Sequence, residues 1–495
     1  MTARTSGNLA DLVRDAAAAT PDKAALVFHG ATTTWAELDA QVSAAARGLL
    51  GLGLTAGDRV AVHLGNTPEF AAVYFGALRA GLVALPVNGA YTANELSHVF
   101  SDSGAAVVVT AATTADTVTS VTQVPVLVAG APSYAPLVGD GSPLESAGAD
   151  EDLAVVLYTS GTSGRPKGAM LTHRALLSNL EQCSRIDPPA VTADDIVLLV
   201  LPLFHVFGLN TALGSIAWHG ATGVLAERFD PVETLELVRR EGVTNVLGAP
   251  PMYVAWSMLP DVGDAFTSVR LALSGAAPLP PAVQARVLDL TGRHVFEGYG
   301  LTETAPVLTS TLMSEVARPG SIGQVIPGVE LRLLDEQGAP VEEGDPGEIV
   351  VRGPNLFSGY WPDGADGPDA DGWFATGDVA VLDQHGDLVL VDRRRELVLV
   401  SGFNVYPREV EDVIAAHPDV EEVAVLGIAH PYTGESVKAI VITRPGRTLT
   451  AEDVIAHAAK SLARFKCPTA VEFVSELPHS ATGKVSKGQL RDLTA

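Results

Sequence analysis

Residues 158 to 168 read Tyr-Thr-Ser-Gly-Thr-Ser-Gly-Arg-Pro-Lys-Gly and follow the apolar run Leu153 to Leu157. Such a run predicts a buried parallel strand. The residues from Thr172 to Cys183 have helical spacing, so we expect a strand-to-helix loop. Three glycines, four Ser/Thr hydroxyls and one lysine can surround a polyphosphate with N–H groups, hydroxyls and an ammonium. The stretch predicts a nucleotide-binding loop, with a flexible surface turn as the alternative.

This loop is not the common phosphate-binding loop, in which glycine precedes the lysine and Ser or Thr follows it. Here Pro166 precedes Lys167 and Gly168 follows. If the loop binds phosphate, it does so with a different arrangement of donors.

Composition indicates a folded globular protein. The 495 residues are 47% hydrophobic and 18% charged, which allows either about three ordinary domains or one large and one small domain. Cys183 and Cys467 are too few for a disulfide framework, and no Cys/His cluster has metal-ligand spacing. The N-terminal residues lack a signal-peptide pattern, and no apolar stretch approaches the length that spans a bilayer. These features predict a cytoplasmic protein without an integral membrane segment.

The net charge of −26 argues against nucleic acid as a partner, because duplex binding needs a basic surface. An anionic small molecule would need local cations in so negative a field. The chain has only seven lysines. Lys167 lies in the glycine-rich loop, and Lys484 lies in a second glycine-containing segment, Ala-Thr-Gly-Lys, near the end.

Helical and strand patterns alternate through residues 8 to 150 and again after the loop, which predicts parallel sheets covered by helices. Ligands of open α/β sheets bind outside the carboxyl ends of the strands. We therefore expect a crevice lined by the segments that follow successive strands: residues 204–208, 248–251, 274–278 and 298–303.

Two further regions follow. From about Ile322 the pattern changes to short strands with Gly/Pro turns, and from Arg394 or Arg395 to a compact α+β module. The prediction is an α/β protein with a large N-terminal domain, residues 1–394, that includes a β-rich subdomain at about 322–394. A small mobile C-terminal domain, residues 395–495, completes it. The acidic stretch Asp363 to Gly372 lacks calcium-loop spacing and reads as a solvated turn.

The loop at 158–168, together with Gly275 to Pro278, Gly298 to Glu303, Ala-Thr-Gly-Asp378 and Lys484, resembles in order the motifs of the AMP-forming adenylating enzymes. This family contains acyl-CoA synthetases, firefly luciferase and peptide-synthetase adenylation domains. The resemblance implies that a carboxylic acid reacts with ATP and magnesium to give acyl-AMP and pyrophosphate. A thiol, usually that of coenzyme A, then displaces AMP, and the small domain rotates between the steps.

The resemblance also assigns residues to the nucleotide. The phosphate-binding positions are Thr159, Ser160, Gly161, Thr162, Ser163, Gly164 and Lys167. The adenine-binding positions are Gly275, Ala276, Ala277, Gly298, Tyr299 and Gly300, with the Tyr299 ring stacking on the base. Thr302 is expected to contact the α-phosphate, and Glu303 is expected to bind magnesium.

The remaining assignments concern the ribose, the lysine and the acyl side. Asp378 and Arg393 are expected to bind the ribose hydroxyls, and Arg395 aligns with the hinge. Lys484 matches the catalytic lysine of adenylation. His205 matches a histidine on the acyl and thiol side, and Ser401, Gly402 and Phe403 resemble a turn that lines the pantetheine tunnel.

The identity of the acid is less constrained. Members of the family that use dicarboxylates such as malonate place an arginine at the position of Gly298, and the segments expected to line the acyl pocket are apolar and small. This favours a medium- or long-chain fatty acid. Aryl acids, transfer to a carrier protein or an amine, a luciferase-like oxygenase and a non-catalytic nucleotide-binding scaffold remain alternatives. A homodimer is compatible with the resemblance.

Overall fold

The computed structural model of the protein describes residues 7–159, 166–314, 316–393, 396, 398–400, 403–430, 434–479 and 485–494. The chain folds as two units, Met1–Glu330 with Arg352–Phe374, and Leu331–Val351 with Ala375–Ala495. The domain boundary predicted at Arg394 or Arg395 lies outside the described residues and stays a prediction.

The helices are α1 (Asp11–Ala19), α2 (Trp35–Gly51), α3 (Pro68–Arg79), α4 (Ala93–Ser103), α5 (Ala115–Val121), α6 (His173–Ser184), α7 (Ser215–His219), α8 (Pro231–Glu241), α9 (Pro250–Ser257), α10 (Val262–Ala265), α11 (Pro281–Thr291), α12 (Pro407–Ala415), α13 (Ala451–Ala458) and α14 (Lys487–Thr494). Among the described residues, none of these helices combines the length and the apolar character needed to cross a bilayer.

The strands are β1 (Ala24–Phe28), β2 (Ala31–Thr34), β3 (Arg59–His63), β4 (Val83–Pro86), β5 (Ala105–Thr110), β6 (Val126–Val128), β7 (Leu153–Thr159), β8 (Lys167–Thr172), β9 (Ile196–Leu199), β10 (Thr222–Leu225), β11 (Asn245–Gly248), β12 (Leu271–Ser274), β13 (Val295–Gly300), β14 (Val307–Ser310), β15 (Gln324–Val325), β16 (Glu330–Leu334), β17 (Gly347–Arg352), β18 (Trp373–Leu382), β19 (Leu388–Arg393), β20 (Val398–Val400), β21 (Phe403–Val405), β22 (Val420–His430), β23 (Gly434–Thr443) and β24 (Ala470–Phe473).

The first unit contains a six-stranded sheet in the order β6-β5-β3-β4-β7-β8. Its strands are parallel except for β8, which runs antiparallel to β7. The predicted strand and helix on either side of the glycine-rich loop are confirmed, but the prediction of a strand-to-helix loop is wrong. The six residues Lys167–Thr172 form a strand of their own because they pair along β7, and the helix begins only at His173.

The second sheet of this unit has nine strands in the order β15-β14-β13-β12-β11-β9-β10-β1-β2. Strands β9 to β13, together with β1, form its parallel part, and β2, β14 and β15 are antiparallel additions at its ends. The predicted βα alternation is confirmed. The segments predicted to line one crevice follow β9, β11 and β12 or, for residues 298–303, begin within β13.

Close helix packing supports this unit. In α3, every residue from Phe70 to Arg79 is buried. A Cβ on Gly76 would lie 2.7 Å from the Cβ of Ala45 in α2, so glycine allows the two helix backbones to approach each other. Thr34 caps the start of α2 in a capping box with Glu37, which satisfies N–H groups that the helix itself cannot pair. The stretch from Pro132 to Asp152 is rich in Gly, Pro, Ser and acidic residues, a composition that predicts a loop. This prediction is wrong for its first part, which forms a 3₁₀ helix at Pro132–Val138.

The second unit contains a four-stranded sheet, β16-β17-β18-β19, and a five-stranded sheet in which β21, β20, β23 and β22 follow one another and β24 pairs with β23. The sequence after Ile322 predicts short strands at 330–334, 348–352, 379–382 and 388–391. All four are confirmed, but β18 begins six residues earlier than predicted, at Trp373. The five-stranded sheet packs on α12 and α13 around a core that includes Val410, Ile414 and Val454. This sheet and its helices agree with the predicted α+β module.

Candidate active site

The ends of the glycine-rich loop lie side by side. Thr159 and Lys167 are Cα partners at the end of the β7–β8 hairpin, and the Thr159 hydroxyl is 3.5 Å from the Lys167 carbonyl oxygen, which accepts from it. Residues 160–165 are outside the described residues, so the predicted roles of Ser160, Gly161, Thr162, Ser163 and Gly164 stay predictions. Thr159 and Lys167 therefore lie next to each other where the loop begins and ends.

Lys167 is a half-exposed cation with two neighbours. Its Nζ lies 2.9 Å from Oδ2 of Asp366 and 5.1 Å from the centre of the Tyr360 ring. Its side chain is 46% exposed, so the ammonium remains accessible to an anionic ligand.

The segment that carries Tyr360 pairs with β8. The N–H of Trp361 donates to the Gly168 carbonyl at 2.7 Å, and the N–H of Met170 donates to the Gly359 carbonyl at 3.1 Å. A Cβ on Gly168 would lie 2.6 Å from Cγ1 of Val156. Glycine is thus required where the loop lysine meets this added segment.

Glu303 is buried, with 9% of its surface exposed. The Tyr360 hydroxyl donates to its Oε1 at 2.5 Å, and its carbonyl oxygen accepts from the Phe357 N–H at 2.9 Å. Magnesium is commonly held by one or two carboxylates together with substrate phosphates and water. A single buried carboxylate with one oxygen fixed fits that requirement, and no group of three or more metal-binding side chains occurs among the described residues.

Buried amides fix the backbone that follows Glu303. Asn355 Nδ2 donates to the Thr304 carbonyl, Asn210 Nδ2 to the Ala305 carbonyl and Asn179 Nδ2 to the Val307 carbonyl, each at 2.8 Å. The Asn179 Oδ1 also accepts from the Val307 N–H. Since α6, a π-helix and a loop supply these amides, three separate elements hold the turn at Thr302 and Glu303 in place.

The two predicted adenine segments are joined by Glu297. Its Oε2 accepts from the N–H of Leu279 at 3.0 Å, which ties the loop after β12 to β13. Within that loop Ala276 has φ of 71°, a left-handed conformation that is unfavourable for a residue with a Cβ. The loop before Leu279 is therefore held in a strained shape next to Gly298 to Gly300.

Glycine is required at Gly300 but not at Gly298. A Cβ on Gly300 would lie 1.8 Å from the Pro306 carbonyl oxygen, whereas the nearest atom to a Cβ on Gly298 is the Thr309 carbonyl oxygen at 3.4 Å. Tyr299 lies between them and is the Cα partner of Thr309. The turn therefore requires glycine at position 300, whereas position 298 could accept a Cβ without a clash.

His205 begins a segment that turns into a π-helix at Phe207–Gly214, a rare conformation that is frequent at functional sites. The His205 Nδ1 accepts from the Phe207 N–H at 3.3 Å. Buried Asn66 fixes the approach to this segment, because its amide donates to the carbonyl of Leu201 and accepts from the N–H of Leu203.

The segments predicted for the acyl group and for adenine meet at Phe207. A Cβ on Gly275 would lie 2.8 Å from the Phe207 ring. Both segments were predicted from their positions after successive strands to face one crevice, and this close approach brings them together.

The second unit carries the predicted ribose-binding pair. Asp378 and Arg393 are Cα partners in the antiparallel pair of β18 and β19. Asp378 is buried, with 6% of its surface exposed, and its N–H donates to the Thr376 hydroxyl at 3.1 Å. Lys484, Ser401 and Gly402 are outside the described residues, and Phe403 begins β21. Their predicted roles stay predictions.

Tyr360 and the three asparagines were missed by the sequence analysis. Tyr360 follows Gly359 in a turn-rich segment far along the chain from Lys167, and nothing in the spacing indicates that this segment adds to β8. The asparagines have no distinctive pattern in the sequence. Only their burial in the structure shows that their amides need hydrogen-bond partners.

Comparison with known proteins identifies the family. The model of the AMP-binding enzyme family matches residues 13–361, and that of the AMP-binding enzyme C-terminal domain matches residues 409–484. The chain belongs to the AMP-binding enzyme family.

Relatives of this AMP-binding enzyme include CoA ligases of different substrate classes. A long-chain-fatty-acid–CoA ligase of Yersinia pestis is 36% identical over 98% of this chain and 94% of that protein. A feruloyl-CoA synthase of Amycolatopsis sp. is 36% identical over 94% of this chain and 95% of that protein. The crystal structure of ATP-bound MatB from Rhodopseudomonas palustris superposes with a TM-score of 0.91 and 34% identity, covering 98% of this chain and 99% of that one.

These relationships confirm the predicted enzyme class. The AMP-binding enzyme is an AMP-forming acyl-CoA synthetase, which uses ATP and coenzyme A to convert a carboxylic acid to its CoA thioester. The α/β fold with a large N-terminal and a small C-terminal part is confirmed as well.

Proposed function

We propose that the acid is a medium- or long-chain fatty acid. The observation that carries this proposal is Gly298, which has no side chain and where a Cβ would make only an ordinary contact, 3.4 Å from the Thr309 carbonyl oxygen. The segments 206–214 and 248–252, which we expect to line the acyl pocket with it, contain no charged residue. An apolar pocket without a cation suits an alkyl chain and leaves a second carboxylate without a partner.

The names of the relatives support a fatty acid as the substrate and also indicate the main alternative. One group is named for long-chain fatty acids and another, equally similar, for feruloyl-CoA. An aryl acid is therefore the second candidate substrate.

We assign the site residues of the first half-reaction as follows. Lys167 and the loop hydroxyls bind the β- and γ-phosphates, Thr302 contacts the α-phosphate, Tyr299 stacks on adenine, and Asp378 binds the ribose. Glu303 would hold magnesium, which when bound neutralises phosphate charge. In this step an oxygen of the carboxylate forms a bond to the α-phosphorus, and the bond from that phosphorus to the bridging oxygen of pyrophosphate breaks.

The residues near the reacting atoms have separate tasks in this proposal. Lys484 would contact the carboxylate and the α-phosphate as the two anions approach, because donors aimed at developing charge stabilise such a transition state. His205 would orient the acyl end. In the second half-reaction the coenzyme A sulfur bonds to the acyl carbon, AMP leaves with the electron pair of the broken bond, and the thiol proton is lost.

The test is a substrate panel. The enzyme is incubated with ATP, magnesium and saturated acids of 6 to 18 carbons, benzoate, ferulate or malonate, with and without coenzyme A. We expect the highest kcat/KM for thioester formation with a fatty acid and no turnover of malonate. A higher kcat/KM with ferulate or benzoate than with any alkyl acid would overturn the fatty-acid proposal. It would leave the enzyme class intact.

A further inference from the structure

We propose that Tyr360 is a positioning residue for the adenylation half-reaction. It holds the Glu303 carboxylate through its hydroxyl and the Lys167 ammonium through the face of its ring. The inference rests on the proposed roles of Glu303 and Lys167, and it adds a residue that connects the metal-binding carboxylate to the phosphate-binding lysine.

Two contacts on different parts of one side chain carry the proposal. The hydroxyl donates to Oε1 of Glu303 at 2.5 Å, and the ring centre lies 5.1 Å from Nζ of Lys167. A phenol that donates to one carboxylate oxygen fixes the plane of the carboxylate and directs the other oxygen, Oε2, towards a metal. The ring face attracts the ammonium through its quadrupole.

Tyr360 is itself held from several sides, as a positioning residue has to be. Its N–H donates to the Ala365 carbonyl at 2.8 Å, and its carbonyl accepts from the Gly364 N–H at 2.9 Å. Tyr360 also forms an antiparallel bridge with Ala169, next to the loop lysine. Its ring packs edge-on against Phe357, with 5.2 Å between the centroids.

The surroundings of Glu303 and Lys167 explain why their contacts with Tyr360 matter for the positions of both groups. Glu303 is buried, so few water molecules can reach its carboxylate and fix its orientation by hydrogen bonds. Lys167 is half-exposed and pairs with Asp366, so the ring is a neutral neighbour that can keep the ammonium near the site after a phosphate replaces that carboxylate. One tyrosine thus sets the positions of both groups that are expected to meet the triphosphate.

The two contacts can be removed separately. Tyr360→Phe deletes the hydroxyl and keeps the ring face, whereas Tyr360→Leu deletes both. Tyr74→Phe is the matched control, because the Tyr74 hydroxyl is buried in α3 and has no hydrogen-bond partner within the described part of the chain. The three variants of the full chain are compared with the unmodified enzyme.

The decisive readout is metal binding, measured by electron paramagnetic resonance of Mn²⁺ titrated into the enzyme with a non-hydrolysable ATP analogue. For Tyr360→Phe we expect Mn²⁺ affinity to fall about 10-fold, the effect of losing a hydrogen bond to a charged group. Affinity for the analogue itself should change less than about twofold at saturating metal. Tyr360→Leu should show the same metal defect and a further loss of about two- to fivefold in analogue affinity. Tyr74→Phe should bind both normally.

A second measurement separates positioning from general damage. Thioester formation from supplied acyl-AMP involves neither pyrophosphate nor its metal, so its rate should be unchanged in Tyr360→Phe while ATP-dependent acyl-AMP formation falls about 10-fold. Equal losses in both half-reactions, or unchanged Mn²⁺ affinity in Tyr360→Phe, would overturn the inference.

Glu303→Gln distinguishes failure of this inference from failure of the proposed site. If Glu303→Gln binds Mn²⁺ normally, the assignment of Glu303 to the metal is wrong and the inference falls with it. If Glu303→Gln loses the metal while Tyr360→Phe retains it, the site assignment stands and only the role of Tyr360 is wrong.

Discussion

Asp378 and Arg393 occupy directly opposed positions in the antiparallel ladder of β18 and β19. This pairing of the two backbones brings the two predicted ribose-binding positions to neighbouring places in one sheet. If Asp378 accepts the ribose hydroxyls, Asp378→Asn should raise the KM for ATP about 10- to 100-fold.

A substrate change provides the control for that prediction. The unmodified enzyme should use 2′-deoxy-ATP less well than ATP, and this preference should largely disappear in Asp378→Asn, since the lost contact is the same. Full persistence of the preference in the variant, measured as the ratio of kcat/KM values, would show that Asp378 does not bind the ribose.

Lys167 and Asp366 form an ion pair that a phosphate would have to displace. Exposed pairs contribute about 0.2–1 kcal/mol, so Asp366→Asn should lower the KM for ATP up to about fivefold at low ionic strength. The gain should shrink as salt screens the charges. Asp371→Asn, which makes the same charge change in the same acidic turn, should have the smaller effect. If both substitutions lowered the KM for ATP equally, the cause would be the overall negative charge of the turn and not the Lys167–Asp366 pair.

Lys484 is proposed to act in only one half-reaction. Lys484→Ala should reduce acyl-AMP formation by about 100- to 1000-fold, the usual result of removing one donor to a developing charge. Thioester formation from supplied acyl-AMP should be largely retained. The two half-reactions are measured by pyrophosphate release and by thioester absorbance. Equal loss in both would contradict separate catalytic roles.

Gly298 and Gly300 offer a matched pair of substitutions two residues apart. Gly300→Ala places a Cβ 1.8 Å from the Pro306 carbonyl oxygen, so we expect it to lower the free energy of unfolding by about 3 kcal/mol. Gly298→Ala should leave stability nearly unchanged and shift the preferred acyl chain to shorter lengths. Urea unfolding and the substrate panel measure the two effects. A stable Gly300→Ala, or an unchanged chain-length profile in Gly298→Ala, would contradict the respective role.

His173 makes the stability of the protein depend on pH. Burial lowers its pKa to about 4 from the ordinary 6.5, and its Nδ1 accepts from the Leu9 N–H at 3.0 Å, which requires an unprotonated nitrogen. The unfolded chain takes up the proton near pH 6.5 and the folded chain only near pH 4. The stability contribution is therefore complete above pH 6.5, declines as the pH falls, and reaches its full loss below about pH 4.

His173→Asn, which keeps an acceptor for Leu9, tests this dependence. The unmodified protein should lose about 2 kcal/mol between pH 7 and pH 5 through this group, and the variant should lack that part of the slope. His385→Asn, at an exposed turn, is the control and should keep the slope. Parallel curves for all three proteins in urea unfolding would exclude His173 as the cause.

Local patterns in the sequence were sufficient for many elements but not for contacts between distant segments. The helix at α6 and the strands β16 to β19 were predicted because apolar periodicity and Gly/Pro turns mark them. Strand β8 was missed because its six residues directly follow a glycine-rich loop and gain stability from pairing with β7. The Tyr360 contacts were missed for the same reason, as they arise when a late segment adds to β8.

The residues of the candidate site divide in the same way, into those marked by local motifs and those that act through contacts with distant segments. Lys167, Glu303 and Asp378 could be selected from short motifs, since chemistry constrains both their identity and their neighbours. The amides of Asn179, Asn210 and Asn355 act on the backbone from separate elements. Every residue has a backbone carbonyl, whatever its side chain. The sequence alone therefore does not show which carbonyls accept hydrogen bonds from these asparagines.

The approach of the Phe207 ring to Gly275 has a consequence for protein engineering. Attempts to widen the enzyme's substrate range by replacing aromatic residues near His205 would remove the surface on which the loop after β12 rests. Nucleotide affinity would then change together with acid preference. Libraries that vary the substrate compartment should keep Phe207 constant or randomise positions 275 and 276 with it.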